Sequence, residues 1–292
     1  MVQFLLIISL LATALCTSDQ PDQEQLFAAF TAEEQVLMEM AQQIIVPASD
    51  AARLEQNEIF RESLFDVLST EGSFAYPFDS LKTVSIQTCP LGRFRMFTWY
   101  VPLSGQRFHY FGVLQLPTSE PNQASLIEFR DATSEINWRE AGELGPEQWP
   151  GAWYYDMVHF EANNSDWYLL LGWKGDNPLT RVRIIEPFGV FDGQALFGAQ
   201  VFGQSYEGMW RIIFEYSSSV SMSLLVEDDF FITESGRHDM VVFDRLAPLQ
   251  ERLKGNFQFY VPEANIFDGL YFSEGKWNLM RDVDARLPER GE

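Results

Sequence analysis

Basic residues, cysteine and histidine are the scarce features of this 292-residue chain: 20 Lys and Arg stand against 42 Asp and Glu, beside 2 Cys and 3 His. The resulting formal net charge of −22 argues against nucleic acid as a partner, because a phosphate backbone would meet a negative field with no Lys/Arg cluster to interrupt it. The same field disfavours anionic lipid surfaces. Two cysteines cannot build a zinc knuckle, and if Cys16 leaves with an export signal the remaining Cys89 cannot form an intramolecular disulfide. His109 and His159 fall in the strand-like stretches RFHYF and MVHFE, and His238 in the turn-like ESGRHDM, with no HxH or HExxH pair to nominate a metal site. There is no GxSxG elbow to nominate a nucleophilic serine, and no fixed-period repeat from which propeller blades could be counted.

Apolar and aromatic residues are what the chain has in quantity. They make up 46% and 15% of it, with 25 Phe and 8 Trp, which is ample area to offset the entropy of ordering a large core. The first long apolar run, Phe4 to Leu15, is too short to span a bilayer and has the length of a signal-peptide core, with Ala12 and Ala14 as an A-x-A cleavage site. Residues 1–16 are therefore expected to be a cleaved export signal. An uncleaved anchor and a lipidated Cys16 are the alternatives, although Leu15 is bulky for a lipobox and the first basic residue is only Arg53. The expected compartment is secreted or periplasmic.

Residues 17–30 read as a polar tether, 31–75 as a helical segment and 76–292 as an antiparallel β domain. Thr31 and Glu34 have the spacing of a capping box, followed by Val36, Leu37, Met40, Ile44 and Ile45 at helical spacing up to Pro47. A second helix is expected from about Asp50 to Leu68. Between residues 17 and 75 there are 12 acidic side chains against Arg53 and Arg61, a solvated acidic face more than a cation site.

From about Leu81 the period changes to two. KTVSIQT, RFRMFTWYV, RFHYFGVLQL, ASLIEF, WYYDMVHFE, DWYLLLGWK, RVRIIEPF, WRIIFEYS, SMSLLVED, DMVVFDRL, FQFYV and DGLYFSEGKWNLM read as strands, with a short helix near Ser134 to Ala141 in the longest break. So many strands leave no room for crossover helices. The expected fold is mainly β, in antiparallel meanders, either propeller-like or a large twisted sandwich, with an N-terminal helical segment.

The loop GWKGDN invites a phosphate or calcium reading. Gly172 and Gly175 are followed by Asp176, Asn177, Pro178 and another strand, where a P-loop needs Lys and Ser/Thr opening a helix, and the loop has one carboxylate where calcium needs several oxygens. Hairpin-turn chemistry is the expectation. Carboxylate pairs recur at Asp282/Asp284, Asp156/Glu161, Asp228/Asp229 and Asp239/Asp244, with Trp99, Trp153, Trp167, Trp173 and Tyr155 as candidate sugar platforms. In a chain with 42 acids such pairs arise everywhere, so a carboxylate-dependent hydrolase of glycans or peptides ranks behind a binding or structural role at the cell surface or in the periplasm. No catalytic residue is nominated. No nucleotide, zinc or iron cofactor is expected, and calcium on converging carboxylates stays open.

The ordered set WYLLLGWKGDN, RIIFEYS followed by SMSL, VVFDRLAP, FYVPEANIFDGLYF and GKWNLMRDVDAR resembles uncharacterised secreted proteins of Bacteroidota, over roughly Trp153 to Arg286. The resemblance implies compartment and not chemistry, since no activity is assigned to that group. Its members carry DHL where this chain has Asp244-Arg245-Leu246, which implies that no imidazole-based metal site lies there. Asp79-Ser80-Leu81 also resembles the short O-glycosylation acceptor motif of that phylum. The partner expected is a glycan or a protein.

Overall fold

The computed structural model describes residues 23–117, 125–175, 177–233 and 236–284. The expected signal, Cys16 and the tether up to residue 22 lie outside these. Two helices, α1 (Gln23–Gln43) and α2 (Asp50–Ser69), precede three antiparallel meanders. The first sheet is β1 (Ser85–Thr88), β2 (Arg95–Leu103), β3 (Arg107–Leu116) and β4 (Ser125–Arg130) in that order. The second runs β5 (Trp153–Ala162), β6 (Ser165–Lys174), β7 (Thr180–Phe191) and β8 (Gln194–Phe197), with β9 (Ile212–Ser217) also paired to β7. The third is β10 (Leu224–Thr233), β11 (Gly236–Pro248), β12 (Tyr260–Ser273) and β13 (Lys276–Val283). No helix of the described residues is long and apolar enough to cross a membrane.

Side-chain alternation along the strands stacks these pieces as helices, first sheet, second sheet and third sheet. Phe97, Trp99, Val101 and Val113 face α1 and α2, where they meet Leu37, Phe60, Leu64 and Leu68. Met96, Tyr110 and Leu114, on the opposite face, pack on Tyr154, Tyr168, Leu170 and Phe188 of the second sheet. That sheet in turn presents Val158, Leu169, Leu171 and Ile185 to Leu224, Val241, Phe243 and Leu270 of the third. The middle sheet is buried on both faces, and this is why YLLLG reads as a continuous apolar run and why Glu186 of IIEPF, the charged exception, is fully buried. The architecture is a stack of open meanders, with no closed barrel among the described residues.

GWKGDN does join paired strands: Leu170↔Glu186, Gly172↔Ile184 and Lys174↔Val182 are in antiparallel register. Asn177 closes the reversal by accepting from the Leu179 and Thr180 N–H groups at 2.9 and 3.0 Å. The loop also does something its turn chemistry hides. Lys174 is buried, donates to Thr133 Oγ1, Pro150 O and Gly151 O at 2.6–2.8 Å, and sits over the Tyr110 and Trp138 rings. Gly175 follows because a Cβ there would run into the Phe108 ring.

Buried charges tie irregular backbone to the sheets. Arg211 binds Glu186 at 3.0 Å and donates to the Trp138, Ala141 and Gly142 carbonyls, holding the long segment after β4 against the middle sheet. Arg95 donates to Tyr76 O, Ser73 O and Gln115 Oε1, and burial lowers its guanidinium to about 10.

Several expectations need correction. The helix begins at Gln23, inside the expected tether, so Thr31 is a mid-helix residue bonded back to Phe27 O at 2.8 Å. Glu34 is no capping-box partner: buried, it accepts from Ser80 N, Leu81 N and Tyr76 Oη, so the loop after the helices supplies its partners. Ser134 to Ala141 forms isolated turns in place of a helix. DGLYFSEGKWNLM is a hairpin and not one strand, since Glu274 and Gly275 both take positive φ and reverse the chain between β12 and β13. His238 lies in β11, opposite Phe231, and not in a turn. QALF, too short to show a period, forms β8.

Candidate functional site

A cleft of about 530 Å³ opens where the end of the helical layer, the start of β1, the β2–β3 hairpin and the first residue of β5 meet. Its walls are Phe60 of α2, Trp99 and Tyr100 of β2, Phe108 of β3 and Trp153 of β5, with Ala41, Ile44 and Ile45 along the helical side. The local sequence explains the shape. Pro47 and the Ser49 cap separate α1 from α2, so the backbone leaves the sheet there and leaves Ile45 and Val46 61% and 68% exposed. Trp99 is fixed from behind by donating its indole N–H to Asn57 Oδ1 at 2.8 Å and by edge packing on Phe60. Tyr100 points the opposite way along the strand, into a partly buried aromatic group with Phe108, Trp153 and Trp173 at centroid distances of 5.4, 6.3 and 5.5 Å.

Among the described residues the cleft has no acidic lining residue. Its one charged wall group is Lys82, which is exposed and makes neither an ion pair nor a side-chain hydrogen bond with any described residue. The Trp153 indole N–H is buried with no partner among the described residues.

The carboxylates gather elsewhere. A polar pocket of about 380 Å³ between β5 and the third sheet is lined by Asp156, Asp228, Asp239 and His159, with Pro90, Met157, Val158 and Val226. Burial raises the Asp156 carboxyl above its ordinary value, the N–H groups of Met157 and Val226 oppose this, and the charge of Asp228 adds to it. His159 is bound through Nε2 to Asp166 Oδ1 at 2.7 Å, and Arg93 also bonds Asp166.

The structure thus re-sorts the candidate acids. Asp156 neighbours Asp228 and Asp239 from the third sheet, while Glu161 is exposed on β5. Asp229 is a bulge residue at positive φ whose N–H donates to Asp239 Oδ1 at 3.2 Å. Asp244 accepts from Ser223 N, and burial raises its carboxyl. Asp282 and Asp284 do not share a strand face, because an extra residue on β13 makes a bulge with Asp282 at positive φ. That bulge serves Asp268, which is buried yet held below the usual carboxylate range: burial opposes ionisation, but Arg245, the Asp282 N–H and Arg281 outweigh it. Arg245, in the DRL stretch, is therefore an ion-pair partner.

His109, His159 and His238 sit on three different sheets, and among the described residues no group of three His, Cys, Asp or Glu is placed to hold a metal ion. Cys89 is free, buried at the end of β1, with its thiol on Tyr168 Oη at 2.9 Å. Of the candidate platforms, Trp153 and Trp99 line the cleft, Trp173 and Tyr155 extend its aromatic group, and Trp167 packs apart on Phe191. Sequence reasoning missed Phe60, Tyr100, Phe108 and Lys82, because the cleft assembles from five separate stretches and no local pattern marks it. No family model, curated protein or solved structure matches the chain.

Proposed function

We propose that this protein is an exported binding protein that takes an apolar small molecule into the aromatic cleft between the helical layer and the first sheet. One observation carries the reading. Among the described residues, the cleft gathers Phe60, Trp99, Tyr100, Phe108 and Trp153 with no acid, and the pocket that gathers Asp156, Asp228 and Asp239 has no Phe, Tyr or Trp in its walls. A sugar hydrolase needs both at one place, two carboxylates flanking a ring that is stacked on an aromatic platform. A carrier needs only a preformed apolar cleft with few polar groups, and about 530 Å³ lies within the roughly 300–1,000 Å³ typical of small-ligand sites. Export is supported by the Phe4 to Leu15 run.

The test is titration with N-phenyl-1-naphthylamine, a neutral apolar fluorophore, followed by its emission and by tryptophan quenching. Saturable binding at one site, weakened at least tenfold by Tyr100→Ala, is expected. Binding that is absent, or unchanged in that variant, contradicts the reading. The raised Asp156 carboxyl beside Asp228 and His159 favours hydrolysis as the second reading. Glycan or peptide turnover abolished by Asp156→Asn would establish it.

A further inference from the structure

Lys82 stands out in the distribution of charge. The chain has only 20 basic residues against 42 acidic ones, and most of the arginines described above are spent on internal partners: Arg95, Arg211 and Arg245 on carbonyls and buried carboxylates, Arg53 on Pro47 O and Pro102 O. Lys82 instead is exposed at the edge of the cleft, with no described partner, while every other wall residue there except Thr83 is apolar or aromatic. An unpaired ammonium beside an apolar cavity is suited to a ligand with an apolar body and an anionic head, since the body leaves water while the head stays at the mouth.

We propose that the ligand is a free single-chain amphiphilic acid, its chain lying along the accessible walls formed by Ile45, Tyr100, Pro102, Phe108 and Trp153 and its carboxylate paired with Lys82. This rests on the cleft being the ligand site. The net charge of −22 repels anions at long range, so the selectivity must come from contact at Lys82 and the bulk of the affinity from the chain. Each added methylene should tighten binding about fourfold until the cleft is full. The cavity suits one chain more than the two of a phospholipid, and the protein's field keeps it from anionic membranes, which is why the free acid is the source assigned.

The experiment displaces N-phenyl-1-naphthylamine from the full protein with dodecanoate, 1-dodecanol and dodecyltrimethylammonium, each below its micellar concentration, in the wild type and in Lys82→Met. Dodecanoate is expected to displace about tenfold more tightly than the alcohol or the ammonium, and Lys82→Met to erase that margin. Lys82 is exposed, so the variant should fold, which an unchanged melting temperature and circular dichroism spectrum verify. If the probe binds and the three heads compete equally, or the ammonium wins, the head-group assignment is overturned while the cleft reading stands. If the neutral probe does not bind at all, the cleft reading falls and the assignment with it. Flotation of the protein with anionic phospholipid vesicles, without displacement by the monomeric acid, would overturn the free-acid source.

Discussion

The cleft under the helices and the pocket between β5 and the third sheet are built from opposite materials, although both involve β5. At its first residue, Trp153, the strand contributes a ring to an apolar wall; three residues on, Asp156 turns a carboxyl into a polar hollow with Asp228 and Asp239. Tyr154, between these two positions in sequence, is fully buried in the core against Trp149 and Phe197 and lines neither region. The difference teaches that acidity of the whole chain says little about any one site. The charge excess of 42 acids over 20 bases is absent from the cleft walls, where the one charge is positive.

The sharpest way to break the comparison is to remove the wall that both stability and binding depend on. Phe60 is fully buried between Trp99 and α1, and Phe60→Ala is expected to lower stability by about 3–5 kcal/mol in chemical denaturation, with loss of probe binding. Tyr100→Ala separates the two effects, because Tyr100 is partly exposed: about 1 kcal/mol in stability, against a tenfold or greater loss of binding. Equal effects of both substitutions on binding per unit of stability lost would mean that the cleft is only core.

The acidic side is expected to respond to pH and not to ligand. The Asp156 and Asp244 carboxyls are raised in the folded state, so the stability they contribute is complete below the unfolded value of about 3.9 and is lost as pH rises through the raised values. Asp268 has the opposite sign: lowered when folded, it contributes stability above about 3.9 that is lost as pH falls through its depressed value. Asp156→Asn should therefore flatten the decline in stability above pH 4, and Asp268→Asn the decline below it, both read from melting temperature against pH. Asp228→Asn should have the smallest effect. At an exposed position it is expected to stay within about 0.5 kcal/mol in stability and to leave probe binding unchanged, while bringing the Asp156 titration down towards ordinary values by NMR.

Period and punctuation made the β architecture legible. RFHYFGVLQL carries Tyr110 and Leu114 to the second sheet and Val113 to the helices, and the second helix expected from about Asp50 to Leu68 ends within one residue of that bound. The failures have physical causes. A strong side chain-to-loop contact overrode a local motif at Glu34, where Ser80 and Leu81 are more than 40 residues away in sequence. The β12–β13 reversal was hidden because its first turn position, at positive φ, is Glu274 where Asn, Asp or Gly is usual, which left only Gly275 to announce it. The site was the least legible part, since Ile44, Lys82, Tyr100 and Trp153 become neighbours only through the stacking of layers.

On the proposed function, ligand enters the aromatic cleft and not the acidic pocket. The most direct measurement is an anomalous difference map from crystals of the protein with 12-bromododecanoate. A bromine peak among Tyr100, Phe108 and Trp153, with the carboxylate at Lys82, is the predicted result. A peak beside Asp156 and Asp228, or none in the cleft at saturating acid, would contradict it.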